Sequence, residues 1–136
     1  MFIQVDLTSS VAIYEQVVQQ IKFSIAAGSI LANELIPSVR ELSKQLALNP
    51  NTVARAYRML QDDGTVYARR GTGLAVAAES PDRCKTERRN WFESQFRKLF
   101  AEACRCQLQR DEVREIVASC LETADGRRQA AKEGGG

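Results

Sequence analysis

The sequence predicts a mainly α-helical chain that carries one small β-hairpin. Three observations predict it. Apolar residues recur at helical spacing over most of the chain, and helix-start and helix-stop residues cut those runs into short lengths. One pair of short, partly alternating runs flanks a basic, glycine-rich tip, Arg70-Gly71-Thr72-Gly73.

The first helix is expected from Val11 to Ala27, where Ile13, Val17, Ile21 and Ile25 draw a single stripe and Gln16, Gln19, Gln20 and Lys22 occupy other faces. Ser9 or Ser10 is placed to cap its start, and Gly28 stands where a helix commonly ends. Pro37 halts any helix, and Ser38 followed by Glu41 forms a capping box for a second one, running to about Leu46 with Val39, Leu42 and Leu46 inward. Ala47-Leu48-Asn49-Pro50 reads as a turn in which Asn49 caps a third helix and Pro50 takes its first position. Val53, Ala56, Tyr57 and Leu60 supply the core stripe of that helix, leaving Asn51, Thr52, Arg55 and Arg58 to other faces, and Asp62-Asp63-Gly64 ends it. Thr65 to Arg69 and Leu74 to Ala78 form the hairpin, with Phe2 to Val5 a candidate further strand.

Ser80-Pro81-Asp82 reads as a boundary. Beyond it, one helix is expected from Thr86 to about Cys104 and another from about Arg110 to Glu122. Two short helices cannot bury so much aromatic surface on each other alone; they either dock on the first domain or meet a second copy. The dimer reading assigns Trp91, Phe92, Phe96, Leu99, Phe100, Val113, Ile116 and Val117 to the interface. Residues 126–136 are expected to be disordered. The organisation is thus residues 1–80, residues 81–125 and a tail.

With 44% hydrophobic and 26% charged residues, the 136-residue chain suits one ordinary domain with a small appendage. No apolar run reaches membrane-spanning length, and Met1-Phe2-Ile3-Gln4-Val5-Asp6 lacks the pattern of a signal peptide, so no membrane partner and a cytoplasmic location are expected. Histidine is absent, which removes the usual general base at neutral pH and every Ser/His or Cys/His constellation, so no enzyme is expected. Of the four cysteines, only Cys104 and Cys106 approach metal-ligand spacing. Idle thiols in a reducing compartment outweigh a sensor, and neither metal nor cofactor is expected; a redox role for Cys104, Cys106 or Cys120 stays open.

Net charge is only +2, but its distribution is informative. Residues 1–80 hold seven basic and seven acidic residues, and Arg40, Lys44, Arg55, Arg58, Arg69 and Arg70 all lie within or beside the helix pair and the hairpin tip. Two short helices joined by a tight turn set one helix in a DNA major groove, and a basic hairpin lies along flanking phosphates: a winged helix-turn-helix. Polar side chains at a helix start bond phosphate together with free backbone N–H groups, and arginine grips guanine in bidentate fashion. The residues assigned to DNA are Ser38, Arg40, Asn49, Asn51, Thr52, Arg55, Arg58, Arg70, Gly71 and Thr72. Each has a plainer reading: Arg40 as an ion pair with Glu34 or Glu41, Arg55 and Arg58 as a solvated face, Asn51 and Thr52 as first-turn residues, Arg70 as part of a charged turn.

The run from Leu35 to Val76 resembles the N-terminal domain of the GntR family of bacterial transcription regulators. The resemblance rests on Pro37-Ser38-x-Arg40-Glu41-Leu42, Asn51-Thr52-Val53, Arg55-Ala56-Tyr57, Leu60-x-x-x-Gly64 and Arg70-Gly71-x-Gly73. The wording from Asn49 to Tyr57 and the short two-helix C-terminal segment are similar to the small YtrA-type subfamily. The resemblance implies a homodimer on an inverted-repeat operator, usually as a repressor, and in this subfamily suggests control of a transporter operon. It implies that Arg40 reaches a phosphate or base, that Asn51, Thr52 and Arg55 begin the recognition helix, and that Gly71 lets the wing approach the minor groove beside Arg70. Many members carry basic residues where Pro50 and Ala54 stand, so here readout leans on Asn51, Thr52 and Arg55. The competing reading is a winged-helix adaptor that binds proteins without specific DNA readout. An unknown small-molecule effector, seated at the dimer interface near Trp91 and Phe96, is left open, as is regulation through Cys104 and Cys106.

Overall fold

In the computed structural model, which describes residues 3–134, helix α1 spans Ile13–Ala26, and Val17, Ile21 and Ile25 of its stripe are fully buried. Neither Ser9 nor Ser10 caps it. The cap position is Ala12, which offers no side-chain bond, and the Ser9 hydroxyl instead accepts from the Val11 N–H at 3.1 Å. Gln16 ties down the entry of the helix. Its Oε1 accepts from the Asp6 N–H (2.8 Å), and its Nε2 donates to the Asp6 and Val11 carbonyls (2.9 Å each), which is why this polar residue is buried.

Helix α2 spans Val39–Leu46 and α3 spans Pro50–Asp62. The expected caps form: Ser38 Oγ accepts from the Glu41 N–H at 3.1 Å, and Asn49 Oδ1 accepts from the Asn51 N–H at 2.9 Å. Val53, Ala56, Tyr57 and Leu60 are all buried. One device closes α1, α2 and α3. A residue with positive φ (Gly28 at 81°, Ala47 at 52°, Gly64 at 79°) returns its N–H to the last turn, and the next N–H reaches one carbonyl further back. Gly28 and Gly64 need no side chain there, whereas Ala47 holds the turn between α2 and α3 in a left-handed conformation that its Cβ disfavours.

Strands β1 (Val66–Arg69) and β2 (Gly73–Val76) pair antiparallel, with Val66 opposite Val76 and Arg69 opposite Gly73. Residues 3–5 form no strand; Ile3 contributes its side chain to the core instead, and Phe2 lies outside the described residues. The segment 33–36 takes the place of that expected strand. Asn33 N–H donates to Val76 O (2.7 Å), Val76 N–H to Glu34 O (2.9 Å) and Ile36 N–H to Leu74 O (2.9 Å), so the far edge of β2 is covered. Pro37 biases Ile36 to the extended backbone this pairing needs.

Helix α4 spans Ser80–Arg105, starting well before the expected Thr86. Ser80-Pro81-Asp82 opens a helix and does not break one: Pro81 sits in the first turn, where a missing N–H is harmless, and the buried Ser80 Oγ donates to the Thr65 carbonyl at 2.7 Å. The chain divides into compact units at Met1–Trp91 and Phe92–Gly136, so residues 81–91 go with the first unit and not with the C-terminal segment. An ion network holds them there. Lys22 of α1 meets Asp63 (2.7 Å) and Glu87 (3.0 Å), and Arg83 lies 3.5 Å from Asp63 and 3.7 Å from Glu87. Burial raises the Asp63 carboxyl, but bonds from Lys22 and Thr65 outweigh it and hold the group below its usual range; burial lowers Lys22, but its bonds to Asp63 and Glu87 raise it overall.

In the second unit Gln107 (φ 63°), two residues past the end of α4, closes that helix: its N–H returns to Cys104 O while Leu108 N–H reaches Ala103 O, both at 3.0 Å, and α5 spans Arg110–Gly134. The expected disorder from residue 126 does not occur among the described residues. Arg127-Arg128-Gln129-Ala130-Ala131-Lys132-Glu133 are strong helix formers, and lengthening an existing helix needs no new nucleus; against this, Gly126 costs about 1 kcal/mol. Gly135 and Gly136 lie outside the described residues.

Candidate nucleic-acid interface

Two adjoining clefts join the start of α2, the start of α3 and the hairpin tip. One, of about 570 Å³, is lined by Pro37, Ser38, Glu41 and Tyr57 on one side and Thr72, Gly73 and Leu74 on the other. The second, of about 530 Å³, is lined by Arg40, Ser43, Lys44, Leu48 and Pro50, and Val39 borders both. Ser38, Arg40 and Thr72, which are far apart in sequence, therefore share one surface with the first residue of α3.

Along α3, burial of Val53, Ala56, Tyr57 and Leu60 forces Asn51, Arg55 and Arg58 outward, with Thr52 half-buried between them. Tyr57 anchors the helix: its hydroxyl donates to the Pro37 carbonyl at 2.6 Å, and burial, with the Glu41 charge adding, pushes its phenol far above the usual range. The cap bonds engage one oxygen each of Ser38 and Asn49, leaving the Ser38 O–H and the Asn49 amide N–H groups for an outside acceptor. Glu41 is the acid among the residues lining these clefts.

The hairpin tip is a turn closed by Thr72 N–H on Arg69 O at 3.1 Å, with Gly71 at φ 79°, a conformation glycine adopts without strain, and space for a further atom around it. Its two arginines differ in role. Arg69 is committed to the fold, donating to the Asn33 carbonyl and lying 3.2 Å from the Tyr67 hydroxyl, whereas Arg70 is exposed and makes no hydrogen bond or ion pair among the described residues. Sequence reading missed the state of Arg55. Its guanidinium carbon lies 3.8 Å from the centroid of the Tyr14 ring on α1.

The second unit carries a groove of about 580 Å³, almost wholly apolar, lined by Phe96, Leu99, Phe100, Val113, Ile116, Val117 and Leu121 together with Cys106 and Cys120. Phe96 and Phe100 stack at 6.1 Å and 25°. Trp91 and Phe92 are not among its lining residues; Trp91 belongs to the first unit, edge-on to Phe23 of α1 at 5.8 Å and 66°. Cys84 is buried, which pushes its thiol up, while Cys104, Cys106 and Cys120 are exposed. No helix among the described residues is long and apolar enough to cross a membrane.

A capped helix pair with a polar outer face, flanked by a basic hairpin, defines a winged helix-turn-helix DNA-binding module. Residues 13–76 match the family described as "Bacterial regulatory proteins, gntR family". The chain is 34% identical over 101 residues to the HTH-type transcriptional repressor YtrA of Bacillus subtilis, covering 74% of this chain and 78% of that protein. It is 38% identical over 72 residues to the uncharacterized regulator YhcF of the same organism, covering 53% and 60%. Among solved structures it resembles a transcriptional regulator from Oenococcus oeni (TM-score 0.69, 28% identity, 88% of this chain and 99% of that one). It also resembles YtrA from Sulfolobus acidocaldarius, a GntR-family transcription factor (TM-score 0.54, 27% identity, 90% and 99%). The chain belongs to the GntR family and is a DNA-binding transcriptional regulator, not an enzyme.

Proposed function

We propose that this regulator is a homodimeric repressor that binds an inverted-repeat operator. The α3 helices would enter successive major grooves, about one DNA turn apart, while Arg70, Gly71 and Thr72 brace the flanking backbone. Arg55, Asn51 and Thr52 read bases, and Ser38, Arg40, Asn49 and Arg58 bond phosphates. The observation that carries this reading is the division of α3, with four apolar side chains fully inward and Asn51, Arg55 and Arg58 outward; Met59 is the one large apolar side chain of α3 that is exposed, whereas an adaptor would expose a contiguous apolar patch there. Its similarity to the YtrA repressor supports repression; the resemblance to the small YtrA-type subfamily suggests an operator in front of a transporter operon. Such a regulator works where the chromosome is, in the cytoplasm.

The groove of the second unit is assigned to a second copy. Phe96, Leu99, Phe100, Ile116, Val117 and Leu121 are between 38% and 60% exposed. Together they leave about 500 Å² of apolar surface per chain, a large share of the roughly 800 Å² per partner in a standard interface. With the second copy seated there, the reading needs no small molecule in that groove. Gel-shift titration against the DNA upstream of its own gene tests the proposal. Arg55→Ala should weaken specific binding about 5- to 150-fold, and native affinity should fall steeply with salt. Equal affinity for a scrambled duplex, or binding indifferent to salt, would leave the adaptor reading in its place.

A further inference from the structure

We infer that Tyr14, on the first turn of α1 and outside the helix-turn-helix itself, is a positioning residue for base readout by Arg55. The inference rests on the reading of Arg55 as a base-contacting side chain. An arginine on a helix surface samples many rotamers, and ordering it on DNA costs conformational entropy. Here that ordering is done in advance. The Arg55 guanidinium lies over the Tyr14 ring, 3.8 Å from its centroid, and the Arg55 side chain makes no hydrogen bond or ion pair among the described residues. Tyr14 is itself held: it packs against the domain core, its hydroxyl donates to Glu15 Oε1 at 3.2 Å, and α1 packs along α3.

The chemistry of the contact suits recognition. A guanidinium on an aromatic ring uses its face for the cation–π attraction and keeps its N–H edge for acceptors, which is the edge that guanine O6 and N7 require. The tyrosine therefore need not be displaced when DNA arrives. Lysine at position 55 would gain less from the ring and could not present a fork.

A double-mutant cycle tests this, using a duplex enriched from a random-sequence library by the native protein and titrated at one fixed salt concentration. Arg55→Ala should weaken binding about 5- to 150-fold. Tyr14→Leu should weaken it about 2- to 5-fold, Tyr14→Phe should match native, and Tyr14→Leu should add nothing on the Arg55→Ala background. Tyr14→Met replaces Tyr14→Leu if the leucine variant melts lower than native. If Arg55→Ala binds like native, the reading of Arg55 fails first. If Arg55→Ala is weak but Tyr14→Leu equals native, or if Tyr14→Leu costs the same factor with and without Arg55, the positioning role alone is overturned.

Discussion

Phe96→Ala should dissociate the proposed dimer while leaving each chain folded. In the isolated chain Phe96 is 54% exposed. With about 200 Å² available to a phenylalanine, about 110 Å² stays open on each copy, or about 220 Å² across a two-fold interface in which the residue appears twice. At about 25 cal/mol per Å² its burial contributes about 5 kcal/mol; partial collapse around the alanine brings the expected loss to about 2–5 kcal/mol. Each 1.4 kcal/mol is about tenfold, so the dimer dissociation constant should rise about 30- to 3000-fold. Phe96 also stacks on Phe100, and that contact goes with it. Sedimentation velocity over a dilution series reads the change directly, with the exposed Lys98→Ala on the same helix as the control. Operator affinity should fall in parallel, because on the proposed inverted repeat a monomer reaches one half-site only. A native chain that stays monomeric at every concentration, or a Phe96→Ala dimer within about twofold of native, would refute the assignment of the groove to a second copy.

Two further outcomes follow from the first unit. Ala47→Gly should raise thermal stability by about 0.5–1 kcal/mol, since Ala47 occupies φ 52° and glycine relieves the left-handed strain; an unchanged or lower melting temperature would contradict this. Asp63→Asn should lower stability by about 0.5–1 kcal/mol at neutral pH, the discounted value for a partly exposed ion pair, as measured by urea melts. Because the folded Asp63 titrates below its usual 3.8, its contribution is complete above that value and is lost as pH falls through the depressed one, so native and variant should converge in strong acid. Lys22 titrates above 10.5, so its share is complete below that pH and is lost only in stronger alkali. The difference between the two proteins should therefore be flat from about pH 5 to pH 9.

What the sequence made legible follows from how directly one residue type encodes one backbone state. Gly28, Gly64, Ser38 and Asn49 announce helix ends because their chemistry is specific to them, and each does what its type predicts. Ala47 and Gln107 close helices by the same bonds without the signature residue, so the tertiary setting imposes what the residue does not prefer. Gln16 was unreadable for another reason: its three bonds go to Asp6 and Val11, a pairing created only once residues 6–11 fold over α1. Composition misled at both ends of the C-terminal segment, since Ser80-Pro81-Asp82 begins a helix as readily as it breaks one and a charged, alanine-containing tail prolongs a helix that already exists. In the interface, the outward residues of α3 were legible from periodicity. The commitment of Arg69 to Asn33 and of Arg55 to Tyr14 was not, because both partners come from distant segments.

Those distant partners give α1 a place in recognition that its sequence does not suggest. Tyr14 meets Arg55 in the middle of α3, and Lys22 meets Asp63 just past its end. From Tyr14 to Lys22 in α1, and from Arg55 to Asp63 at the C-cap of α3, is eight residues each, about 12 Å of helical rise, so the two contacts match in spacing and α1 runs alongside α3 in the same direction. Sliding or rotating α3 against α1 would break this stack and this ion pair, which adds to the hold that its buried stripe already has on the core. Lys22 also reaches Glu87 of α4, so the same neighbour fixes the start of the helix that leads into the second unit. On the proposed reading, recognition draws on α1 as well as on the turn between α2 and α3: the buried stripe of α3 turns Asn51, Arg55 and Arg58 outward, and Tyr14 of α1 holds the guanidinium of Arg55 there.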